Sequence, residues 1–135
     1  MNIKSFLSLS TVLAACLLVL TDCKETPYQQ GKILYENFCA SCHMDDGGGL
    51  TGNIPPLANA DYVKQEQAQI ACIIRYGQMG EVVVNGVTYN NPMPAVPQLS
   101  DFEITNVLNY INTSWGNDYG VVKLSEVRAA LQACQ

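Results

Sequence analysis

Residues 39–43 read CASCH and hold two of the chain's six cysteines together with its only histidine. Thiols three residues apart on a helical turn share one face, where both can add to the two vinyl groups of a single haem. A histidine directly after the second thiol then lies beneath the iron. Its imidazole would be one axial ligand, while the other ring nitrogen donates to a backbone carbonyl that fixes the ring and tunes its basicity. Other uses of the cluster fit less well. A dithiol redox centre belongs near a βαβ pattern, and none is visible. A zinc site needs four ligands, and the chain has neither a second CxxC nor a further histidine. A disulfide between Cys39 and Cys42 would leave His43 without a part.

An iron held by one imidazole has a sixth position to fill. With no second histidine, the soft alternative is a methionine thioether, which raises the reduction potential. Of the four methionines, Met1 lies in the N-terminal leader and Met44 adjoins the histidine, too close to reach the far face of the haem. Met79 stands beside Gly77 and Gly80, where nothing stiffens it. Met93 stands between Pro92 and Pro94, which restrict the backbone on both sides. Met93 is the expected ligand and Met79 the alternative.

The elements that must carry these side chains are mostly helical. Ile33, Leu34, Tyr35 and Phe38 have a helical spacing that runs into the cysteines. The loop GGGLTGNIPPLAN follows, in which three glycines and two prolines forbid regular structure. A single helix is predicted over 61–76, with Ile70, Ile73 and Ile74 apolar and Gly77 as its stop. Asn85-Gly86 between β-branched residues predicts a small hairpin near 82–89. Ser100-Asp101-Phe102-Glu103 is a capping box opening a helix with the apolar face Ile104, Val107, Leu108 and Ile111, ending near Trp115-Gly116. A last amphipathic piece, LSEVRAALQAC, begins at a Ser125 cap and packs on the surface.

At 135 residues, 48% apolar and 14% charged, the chain has the composition of one small globular domain. A formal charge of −5 with scattered basic residues excludes a nucleic-acid partner. Residues 1–22 carry Lys4 and then an uncharged apolar run from Phe6 to Leu20, short for spanning a bilayer, and read as an export signal of lipoprotein type. The other reading is an uncleaved anchor helix. Leu13-Ala14-Ala15-Cys16 fits the lipoprotein pattern and Leu20-Thr21-Asp22-Cys23 breaks it at Asp22. Cys23, however, stands where the apolar run ends, so Cys23 is the expected lipidated residue and Cys16 the alternative. Residues 23–30 then form a linker, 31–116 the haem domain and 117–135 a C-terminal extension with a short helix.

From about Tyr28 to Gly116 the chain resembles class I cytochrome c. CASCH, the four-residue steps Gly31, Tyr35, Cys39, and the Pro55-Pro56-Leu57 run after the motif carry the resemblance. It implies an all-α fold of about three to five helices around one covalently bound haem, with the first helix crossing a C-terminal one through Gly31 against Val107 and Tyr110. It also implies that the Pro55 carbonyl accepts from His43 and that Leu57 packs on the haem. The run from VNGVTYNNPMPAV to INTSWGN looks like cytochromes found alone or as subunits of periplasmic dehydrogenases and respiratory complexes, which supports Met93 a second time.

Two features depart from the family pattern. Gly47-Gly48-Gly49 should loosen the loop after the haem motif. Cys72 and Cys134 are extra. An oxidising compartment would permit a bridge between them, and a buried free Cys72 with a reduced Cys134 is the other reading. No nucleophile or acid–base pair is visible, so the expected function is one-electron transfer outside the cytoplasm, at the periplasmic face, between redox protein partners, with a lipid anchor in the membrane. The alternative is a haem that binds a small ligand or reduces peroxide after a labile methionine dissociates.

Overall fold

Cys39 interrupts the first helix, and the interruption decides where the chemistry sits. In the computed structural model, which describes residues 28–134, α1 (Gln29–Phe38) stops as Cys39 takes φ −121°, and α2 (Ala40–His43) starts afresh on the motif. The predicted export signal and both candidate lipidation residues, Cys16 and Cys23, lie outside the described residues. The elements that follow are α3 (Asp61–Gln65), α4 (Gln67–Tyr76), β1 (Val82–Val84), β2 (Val87–Tyr89), α5 (Asp101–Thr113) and α6 (Leu124–Ala133).

Six helices among the described residues exceed the three to five expected, for two local reasons. One is the break at Cys39. The other is a split at Glu66 (φ −110°, ψ 39°) in what the apolar periodicity reads as one helix. There the Gln67 side-chain amide donates to the Val63 carbonyl, the acceptor that the Gln67 backbone N–H would take in a continuous helix. Among the described residues no helix is long and apolar enough to cross a membrane.

The largest packing event is the crossing of α1 on α5. A Cβ on Gly31 would lie 2.1 Å from the Asn106 carbonyl oxygen and 2.9 Å from Tyr110 Cβ, so only glycine lets the two backbones approach this closely. Gly31, Leu34 and Tyr35 form the buried face. Ile33, about 200° round the helix from Gly31, is 48% exposed, and Phe38, the last residue of α1, is 38% exposed; neither belongs to the core as their spacing had implied. Tyr35 is fully buried and packs its ring, tilted, with centroids 5.4 Å from Tyr110 and 5.0 Å from Trp115, tying α1 to α5 and to the chain beyond it.

On α5 the capping box forms as its sequence predicts: Ser100 Oγ accepts from Glu103 N–H, and the Glu103 carboxylate accepts from Ser100 N–H at 2.8 Å. Ile104, Val107, Leu108 and Ile111 face the core. The helix ends at Thr113, before Trp115, which takes φ 54°.

The hairpin pairs Val82 with Tyr89 and Val84 with Val87. Asn85 and Gly86 both have positive φ, 51° and 76°, the backbone that a two-residue type I′ turn demands. Asn85 also docks the hairpin: its Oδ1 accepts from Asp61 N–H, its N–H donates to Asp61 Oδ1, and its amide donates to the Asn59 carbonyl.

The C-terminal helix is more than a surface decoration. It starts at Leu124 rather than after a Ser125 cap, because the Glu126 carboxylate accepts from the Lys123 N–H at 2.7 Å. Val127 and Leu131 are buried against α4 and α5, and Cys134 is joined to Cys72 of α4. A bridge closing 62 residues contributes about 2–4 kcal/mol, chiefly by restricting the unfolded chain. Since Ile70, Ile73 and Ile74 of the same α4 face the central cleft, the bridge steadies one wall of that cleft.

Candidate cofactor site

The short α2 presents CASCH to an apolar cleft. Cys39 is buried, Cys42 exposed, and both are free thiols. Burial, with the neighbouring Cys42 second, pushes the Cys39 thiol up to about 11. His43 is 7% exposed, and its Nδ1 lies 3.0 Å from the Pro55 carbonyl oxygen. A carbonyl can only accept, so Nδ1 carries the proton and Nε2 keeps an unshared pair. Burial lowers the His43 pKa, opposed by the Pro55 hydrogen bond. Desolvation therefore favours the neutral imidazole, the form that ligates a metal.

What holds Pro55 in place is a loop packed against its own backbone. Gly47 (φ 67°) lies under Trp115, where a Cβ would meet the indole at 2.6 Å, and a Cβ on Gly49 (φ 64°) would lie 2.4 and 2.6 Å from the Ile54 and Pro55 carbonyl oxygens. The Gly47 carbonyl accepts from both Leu57 N–H and Ala58 N–H. The glycine run is thus no looser element. Two of its three members are needed for positive φ and close approach, while a Cβ on Gly48 would meet the flexible Asp46 side chain first.

The cleft is apolar and open at its mouth, a concave site of the kind that cofactors and small molecules occupy. Cys39, Cys42, His43, Pro55 and Leu57 line it, with the isoleucines of α4, the inward face of the hairpin, and Met93. Among the described residues, no Asp, Glu, Lys or Arg side chain lines it. Met93 reaches it from a fixed backbone: its N–H and carbonyl pair with those of Gln78 at 2.9 Å each, and Gly77 (φ 83°) packs so closely that a Cβ would lie 2.8 Å from the Met93 carbonyl oxygen. Met79 is 80% exposed and lines no part of the cleft. Sequence reasoning passed over Gln78 and Tyr89 in the lining. Gln78 is a polar residue whose role is made by its backbone, and Tyr89 is recognisable only once the hairpin register is known.

An apolar cleft bordered by two free thiols, a neutral histidine with an unshared nitrogen pair and a thioether is the constellation of a c-type haem protein. Residues 28–115 match the Cytochrome c family, and the chain belongs to that family, in its class I form. Over 83 residues it is 40% identical to cytochrome c-552 of Thermus thermophilus, covering 58% of this chain and 63% of that protein. Over 101 residues it is 32% identical to the cytochrome c subunit of quinone alcohol dehydrogenase from Gluconobacter oxydans, covering 73% of this chain and 21% of the subunit. The corresponding subunit of Gluconacetobacter polyoxogenes is 35% identical over 92 residues, covering 64% of this chain and 19% of that protein. The chain thus spans under two thirds of the first relative and about a fifth of the dehydrogenase subunits. The family's cofactor is covalently bound haem c, and the free thiols, the available Nε2 and the uncharged lining fit it.

Proposed function

We propose that this chain is a one-electron carrier in which Cys39 and Cys42 would hold a haem by thioether bonds, and His43 Nε2 and Met93 Sδ would ligate its iron. The observation that carries the reading is the convergence of the Pro55-oriented His43 and the rigidly held Met93 on one uncharged cleft, with Met79 outside it. When bound, haem supplies an iron that changes charge by one electron. The Pro55 hydrogen bond keeps the imidazole basic and oriented, the thioether favours the ferrous state, and the apolar walls exclude water. Both axial side chains stand on backbones fixed by hydrogen bonds, so little rearrangement accompanies a change of charge. Leu57 packs against the cofactor from the same loop as Pro55.

The domain 31–116 acts outside the cytoplasm in this reading, after export by residues 1–22, with 23–30 as linker and 117–135 as the extension bridged through Cys134. The Cys72–Cys134 bridge supports an oxidising compartment. Lipidation at Cys23, with Cys16 as alternative, would give the membrane anchor. Its partners are redox proteins, a donor and an acceptor, as the dehydrogenase-subunit relatives would lead one to expect. Exposure of the ferrous protein to carbon monoxide and of the ferric protein to cyanide, at modest concentrations, should leave both visible spectra unchanged. Ready formation of either adduct would favour instead the ligand-binding or peroxide-reducing reading, in which Met93 dissociates.

A further inference from the structure

We propose that Asn117 is a positioning residue for His43, fixing the Pro55 carbonyl relative to α5 and thereby setting how strongly the axial imidazole donates to iron. The inference rests on His43 being the axial ligand. Asn117 is 6% exposed, and both its amide oxygen and its amide nitrogen bond main-chain partners. Oδ1 accepts from Asn59 N–H at 2.7 Å, and Nδ2 donates to the Leu57 carbonyl at 3.0 Å and to the Ile111 carbonyl at 2.8 Å. The first two partners belong to the loop that carries Pro55, and the third belongs to α5.

That loop needs an outside clamp. It has no regular structure across Pro55 and Pro56, and prolines donate no backbone hydrogen bond. From the haem-motif side it is held by the Gly47 carbonyl, which takes Leu57 N–H and Ala58 N–H. Gly47 is itself pressed against Trp115, whose indole N–H donates to the Asp45 carbonyl at 3.0 Å. Residues 115–117 therefore grip both arms of the loop, Trp115 on one and Asn117 on the other. Because α5 also crosses α1 at Gly31, the clamp references Pro55 to the helix that leads into the cysteines. A hydrogen bond from Nδ1 makes the imidazole a stronger donor and favours ferric iron. Slackening the clamp should weaken that bond and raise the midpoint potential.

A merely structural amide should not do this, and α5 provides one for comparison. Asn109 is 5% exposed, donates to the Val122 carbonyl and accepts from Val122 N–H, holding the C-terminal extension rather than the Pro55 loop. The test compares the holoproteins Asn117→Ala, Asn117→Ser and Asn109→Ala, with serine keeping one hydrogen-bonding group in case alanine impairs folding. The readouts are midpoint potential and the exchange of the His43 Nδ1 proton, followed by NMR of the ferric protein. Both Asn117 variants should raise the potential, and alanine should speed the exchange about tenfold, the loss of roughly one hydrogen bond. Asn109→Ala should lower thermal stability while leaving both quantities as in the wild type. Wild-type exchange and potential in the Asn117 variants, or equal shifts in Asn109→Ala, would overturn the proposal. Absence of any hyperfine-shifted His43 resonance in the wild type would instead overturn the axial-ligand reading.

Discussion

Met93→Ala is expected to lower the midpoint potential by on the order of 100 mV or more, with about 59 mV for each tenfold change in the ferric–ferrous balance. It should also yield a haem that binds carbon monoxide and cyanide. A thioether is a soft ligand that stabilises ferrous iron more than ferric, so its removal favours the oxidised state. The loss should be confined to the side chain. The Met93 backbone is paired with Gln78 and packed against Gly77, and neither contact involves the thioether. Met79→Ala is the matched control, because its side chain is exposed and outside the cleft. Potentiometric titration of both variants checks the assignment. An unchanged potential in Met93→Ala with a fall in Met79→Ala would reverse it.

The double variant Cys39→Ala/Cys42→Ala should lose covalent haem altogether. Intact-mass measurement under denaturing conditions should give the bare polypeptide, where the wild type carries the added mass of one haem. The effect on the fold should be large as well. Without the cofactor, an apolar cleft is left between α1–α2, α4 and the hairpin, and such cavities forfeit the contacts that hold their walls. A ligand that binds only the folded state stabilises it by mass action, and a covalent one cannot be lost by dilution. A pyridine haemochrome that still showed thioether linkage in the double variant would contradict the attachment assigned to these cysteines.

Much of this was legible in the sequence where the cause is local. The hairpin follows from Asn85-Gly86 because both residues tolerate positive φ, and the start of α5 follows from Ser100 and Glu103 because their side chains satisfy each other's backbone groups. CASCH reads as haem chemistry because thioether addition and axial ligation demand those residues at that spacing. Features made by distant partners were not legible. The break at Glu66 depends on the Gln67 amide capturing a carbonyl, while periodicity registers only apolar positions. Ile33 has helical spacing yet faces solvent, because the crossing at Gly31 decides which side of α1 is buried. Gly47 and Gly49 looked like slack and are tight contacts, since composition cannot show what packs against a missing Cβ. Asn117 closes the INTSWGN run, but nothing in its residue type announces a role. Its importance arises from three main-chain partners, two of them 58 and 60 residues away.

In the proposed carrier the iron keeps both protein ligands through its redox cycle. Spectroelectrochemical titration of the purified holoprotein tests it most directly. A single reversible one-electron wave at positive potential is expected, with low-spin, six-coordinate spectra at both ends. A high-spin spectrum at either end, or a wave that is irreversible because an axial side chain is lost on reduction or oxidation, would contradict it.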